Sequence, residues 1–221
     1  ALAICLLFAG PAVAGTSVSG AINADTTWNL AGSPYLLTAD VQVQAGVTLT
    51  IEPGVEVQVS AADGNDIELI VRGTLFAAGT SVAPIVFKAQ SGEAAGSWEG
   101  LYVDSGGKAT LKNLAIRHAD NALEINKPLQ ADLDLTGVTI AGFRSRAVSL
   151  LNGGTVLLDR FVIDGLALAG TTAIVAGTAV VSLENSTLRN VVDGVTVENA
   201  NLGLSRVVVA NTTTGVRMRV T

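Results

Sequence analysis

The stretch LDLTGVTIAGFRSRAVSL, residues 133–150, decides the fold, because its pattern returns along the chain at 111–125, 156–176, 181–199 and 202–220. Apolar residues alternate with polar ones, a break follows, and a second alternation ends at an aliphatic anchor. The anchors of the five units are Ile116, Ile140, Ile163, Leu188 and Val209, spaced 24, 23, 25 and 21 residues apart. Period-two alternation is the mark of a half-buried strand. Self-similarity at roughly 20–25 residues, without helical periodicity between the strands, is the mark of a stacked coil. Equivalent strands of successive units would pair in parallel about 4.8 Å apart. A β-sandwich would also show many short strands, but it would not require equivalent positions to keep their character through five units.

The units also share their interruptions. Asn113, Gly137, Arg160, Asn185 and Arg206 break the first alternation at one position. Two residues after each anchor stand His118, Gly142, Gly165, Asn190 and Asn211, and this column is expected to be a corner, since Gly and Asn enter left-handed conformations cheaply. A further straight section begins at Ala122, Ala147, Ala173, Gly194 and Gly215, each followed by an apolar residue.

Composition fits a narrow, layered interior. Of 221 residues 49% are hydrophobic but only 4% aromatic, so the core must be built from Val, Leu, Ile and Ala. A net charge of −6 argues against a nucleic-acid partner, which needs a concentrated basic face. Residues 1–14 run through Leu2, Ile4, Leu6, Leu7 and Phe8 to the small-residue pattern Ala12-x-Ala14, which reads as a partial signal peptide. That run is too short to span a bilayer, so no membrane span is expected after its removal. The single cysteine, Cys5, lies inside it, and a mature chain would have no disulfide. Residues 15–40 are expected to cap the bottom of the coil with Trp28, Leu30, Tyr35 and Leu36. Residues 41–221 would be one coil domain, expected to continue past Thr221 because no polar terminal cap precedes it.

The phrases SPYLLTADVQVQAGVTLTIEPGVEV (residues 33–57), VRGTLFAAGTSVAPIVFKA (71–89) and SWEGLYV (97–103) resemble the opening coils of bacterial secreted or cell-surface right-handed parallel β-helix proteins, of the pectate-lyase-like superfold and its non-catalytic members. The resemblance runs from about Ala24 to Arg117, and the looser repeats carry it onward. It implies an all-β fold, a single-stranded right-handed parallel β-helix (solenoid) behind the partial signal peptide. The strong preference of parallel crossovers implies the same hand. Such coils serve adhesins and carbohydrate-active enzymes alike, so the resemblance says little about activity.

A catalytic set would need acids converging on one exposed sheet. The first outward column holds Lys112, Thr136, Asp159, Glu184 and Ser205, and the column after the anchors holds Arg117, Ala141, Asp164, Arg189 and Ala210. Asp159 and Glu184 should be neighbours on adjacent turns, and with Arg160 they are the candidates for catalysis. Against this, both can point into water beside Arg160, with screening to relieve their repulsion. Asp164 and Arg189 should form a surface ion pair. His118, two residues from Asp120, is expected as a turn residue, and Asp63-Gly64-Asn65-Asp66 as a loop. Trp98 either offers a sugar platform or packs inside. Asn185-Ser186-Thr187 and Asn211-Thr212-Thr213 match glycosylation acceptors but are better explained as corner asparagines and strand threonines. No catalytic site, cofactor or metal is expected. The function expected is an exported structural or adhesive region of a larger bacterial surface or secreted protein, with surface glycans or other surface proteins as partners. The rival is a lyase- or hydrolase-like or glycan-binding coil.

Overall fold

The computed structural model describes residues 15–60, 67–92, 94–126, 129 and 132–219. Its strands form a parallel β-helix of about eight turns, and every strand pairing is parallel. Each turn contributes to three faces. A middle turn shows the order: Thr155–Asp159 lies on the first face, Val162–Asp164 on the second and Thr172–Ala176 on the third.

The repeat units superpose in space as they do in sequence. On the second face the Cα partners run Tyr35, Val57, Phe87, Ile116, Ile140, Ile163, Leu188 and Val209. The first face stacks Leu111, Leu135, Leu158, Leu183 and Leu204. The third stacks Val43, Val71, Val103, Ile125, Leu150 and Ala176. Apart from Leu204, which is exposed, and Val209, which is half-buried against the cluster, these residues meet in one continuous core. A fully buried aliphatic side chain of this kind stabilises by about 1.5–3 kcal/mol relative to exposure.

The corners follow the polar columns. Asn113, Gly137, Arg160, Asn185 and Arg206 all have positive φ, between 43° and 68°, and separate the first face from the second. His118, Gly142, Asn190 and Asn211 do the same between second and third. Gly165 departs from the expectation. In its turn the left-handed residues are Leu166 and Ala167, at φ 54° and 59°, because a longer loop leads to the third face.

Residues 15–40, assigned from sequence to a cap, contribute paired strands of their own. Thr16–Ile22 pairs with Tyr35–Val43, and Thr26–Trp28 with Thr48–Ile51. The domain boundary drawn near residue 41 therefore falls inside the strand Tyr35–Val43. Trp28 and Tyr35 are buried and stack at 4.8 Å between ring centroids, whereas Leu30 is exposed and Leu36 half-buried. Residues 1–14, the expected signal peptide, lie outside the described residues, as do the loop residues Asp63-Gly64-Asn65-Asp66 and the expected chain end at Thr221.

Candidate functional site

The columns deduced from sequence are real columns. Lys112, Thr136, Asp159, Glu184 and Ser205 are successive Cα partners on the first face. Arg117, Ala141, Asp164, Arg189 and Ala210 are successive partners on the second. Asp159 and Glu184 therefore are neighbours, but their oxygens are already engaged. Asp159 accepts from the Asn185 amide at 2.7 Å and lies 3.4 Å from the Arg160 guanidinium. Glu184 is 3.9 Å from Arg206, one turn further. Each acid thus has its own counter-charge.

Arg189 and Asp164 form the expected ion pair, 2.9 Å. Burial alone would raise the Asp164 carboxyl, but hydrogen bonds from Asn190, the Leu166 backbone and Arg189 outweigh it and hold the group below its ordinary range. Asp120 is held low in the same way, burial being outweighed by hydrogen bonds from Arg144 and Ser145. His118 occupies its corner with φ 64°. Trp98 is no sugar platform: it is fully buried, stacks near Phe87 with ring centroids 6.4 Å apart, and donates its indole N–H to the Arg117 carbonyl at 2.8 Å. Among the described residues no group of three or more His, Cys, Asp or Glu side chains is placed to hold a metal ion. No helix there is long and apolar enough to cross a membrane.

A different acidic group emerges on the third face. Glu68 pairs with Gly100 across neighbouring turns, and Ile70 pairs with Tyr102 in the same two strands. Tyr102 pairs onward with Glu124, and Glu124 with Ser149. Since Leu69, Val71, Leu101, Val103, Leu123 and Ile125 face the core, the alternating residues Glu68, Ile70, Tyr102 and Glu124 face outward. Glu99 sits at the edge, its Oε1 accepting from Asn121 Nδ2 at 2.9 Å. On the other side Asp104 accepts from the Tyr102 hydroxyl at 3.3 Å and meets Arg72 at 3.4 Å.

Burial, reinforced by Glu99, Glu124, Asp40 and Asp104, pushes the Glu68 carboxyl up to about 7. Burial and Glu99 raise Glu124 as well, against the opposing pull of Arg146. Many other acids on the coil find basic partners on a neighbouring turn, as in Lys88–Glu56, Lys112–Asp134 and Arg217–Asp193. Among the described residues none forms an ion pair with Glu68, Glu99 or Glu124. The column search missed this group for a physical reason. Its members come from three different positions of the turn and from the irregular early coils, so no fixed spacing joins them.

Comparison with known proteins agrees with the coil. A stretch of 75 residues, 34% of this chain, is 40% identical to Protein bark beetle of Drosophila melanogaster, and it spans only 2% of that protein's length. No solved structure matches the chain. Residues 20–127 match the family model described as a pectate-lyase like beta helix domain. The chain is accordingly a parallel β-helix, and its early coils are similar to the pectate-lyase like beta helix domain.

Proposed function

We propose that this chain is an exported structural and adhesive β-helix region of a larger surface or secreted protein, acting by presenting a rigid face and without catalysis. The observation that carries this reading is the fate of the stacked acids. Asp159 and Glu184 are each matched with a base or an amide within the ladder, so the charge of each is answered by its own neighbours rather than held for a substrate. The fly relative adds support, because there a similar stretch is a small part of a very long chain. Incubating the purified chain with a panel of acidic, neutral and basic polysaccharides tests the reading. No change in polymer length is expected, and clear depolymerisation would overturn it.

The carbohydrate-active reading keeps one specific observation in its favour, and that observation moves its site. A carboxyl that holds its proton near neutral pH beside other carboxylates is what acid–base glycan cleavage requires. The group that offers this is Glu68 with Glu99 and Glu124, not Asp159 with Glu184. Under this reading Glu68→Gln abolishes any glycan cleavage, while the double substitution of Asp159 and Glu184 by Ala leaves it intact.

A further inference from the structure

The third face combines an apolar platform, three acids outside any ion pair, with Arg146 acting on Glu124 from the next turn, and covered polar atoms without partners. Ile70 and Tyr102, outward on adjacent turns, give a continuous surface about one interstrand spacing long, suited to the C–H face of a pyranose ring. Glu68 precedes Ile70 by two residues and points the same way. Glu124 stands one turn beyond Tyr102 in the same row. The Cα partner of Glu68 on the next turn is Gly100, which adds no side chain to the row. Two further atoms look onto this group: Ser149 Oγ, in a residue 1% exposed and directly beside Glu124, and Asn121 Oδ1, on the amide that already holds Glu99. Neither has a hydrogen-bond partner, and a buried polar group left this way is costly.

The chemistry of this surface is one-sided. Carboxylates and the Asn121 oxygen accept hydrogen bonds, and like charges on neighbouring strands repel. A ligand that relieves the repulsion must bring positive charge, and the Ile70–Tyr102 platform adds the requirement of a ring. A uronate chain would add negative charge to negative. A neutral glycan would supply donors but leave the charge uncompensated.

We propose that this face binds a basic glycan, an amino-sugar chain laid along the coil axis, with a ring on Ile70–Tyr102 and ammonium groups against Glu68, Glu99 and Glu124. The inference rests on the adhesive reading above and names the partner of one face. An ammonium group placed there favours the ionised carboxylate, so binding near pH 6 is accompanied by proton release from Glu68.

Calorimetry with the full chain at neutral pH and low salt, using glucosamine hexamer, N-acetylglucosamine hexamer, galacturonate hexamer and hexalysine, tests the proposal. Glucosamine hexamer is expected to bind at least about tenfold more tightly than each of the others, a difference of about 1.4 kcal/mol. The same titration near pH 6 in two buffers of different ionisation enthalpy is expected to reveal the released proton. Glu68→Gln with Glu124→Gln should weaken binding about tenfold or more while thermal melting shows the coil still folded. Equal affinity for the acetylated hexamer, preference for the uronate or for hexalysine, no binding at all, or indifference to the double substitution would each overturn it. Failure of binding with polymer lengths unchanged would leave the structural reading standing. Shortening of the glucosamine hexamer would instead remove the non-catalytic reading.

Discussion

Single residues set the corners of this coil, and their cost is local. Asn190 is left-handed at φ 55°, donates to Asp164 at 3.0 Å and accepts from Asn211 at 3.0 Å. Forcing a β-branched residue into that conformation costs roughly 1–2 kcal/mol, and the lost hydrogen bonds about 1 more. Asn190→Val should therefore lower stability by about 2–3 kcal/mol in urea unfolding. Asn190→Gly, which keeps the backbone but drops the ladder, should lose only about 1 kcal/mol. Gly100 is a stricter case: at φ 149°, a Cβ there would lie 1.8 Å from the carbonyl oxygen of Asn121. Backbone cannot yield as a side chain can, so Gly100→Ala should lower the melting temperature more than any outward substitution on the same face. An unchanged melting temperature would show that the seam between these turns is looser than described.

At the level of the strand, stability resides in the stacked aliphatics. Ile140 lies between Ile116 and Ile163 and is fully buried. Ile140→Ala should cost about 2–5 kcal/mol, the range for large-to-small changes in a packed core. Val209, half-buried in the last described turns, should lose markedly less on substitution by Ala. Because each turn contacts only its neighbours, hydrogen exchange should show faster opening confined to the turns around residue 140. These elements are legible in the sequence because burial repeats at fixed spacing: the anchors, the Asn and Gly corners and both outward columns can all be read from the alternation. The third-face acids are not. Glu68, Tyr102 and Glu124 come together only once the early loops, whose lengths vary from turn to turn, bring their strands side by side. The segment expected to cap the coil also carries strands that the alternation does not announce. Trp28 and Tyr35 look like closing aromatics, yet parallel pairing already begins at Thr16.

For the whole molecule, charge makes stability depend on pH in a direction opposite to that of an ordinary salt-bridged carboxylate. Folding raises the Glu68 carboxyl from 4.5 to about 7, so the folded state holds this proton more tightly than the unfolded chain. That stability is complete below the unfolded value and is lost as pH rises through about 7. The melting temperature should fall between about pH 5 and pH 8, and Glu68→Gln should flatten the fall. A wild-type melting temperature that rises over the same range would contradict the burial of Glu68. By contrast, Asp159→Ala with Glu184→Ala should change stability by about 1 kcal/mol or less, since exposed pairs contribute little. All of this presupposes that equivalent residues of consecutive turns sit directly over one another, and a cysteine pair measures that register most directly. Thr139 and Val162 are Cα partners on the second face, whereas Asp164, outward two positions on, is not the partner of Thr139. In a Cys5→Ser background, Thr139→Cys with Val162→Cys should close to a disulfide under mild oxidation, because partners at this spacing meet the geometric requirement. Thr139→Cys with Asp164→Cys should stay reduced; closure of that offset pair in preference to the first would contradict the stacked coil.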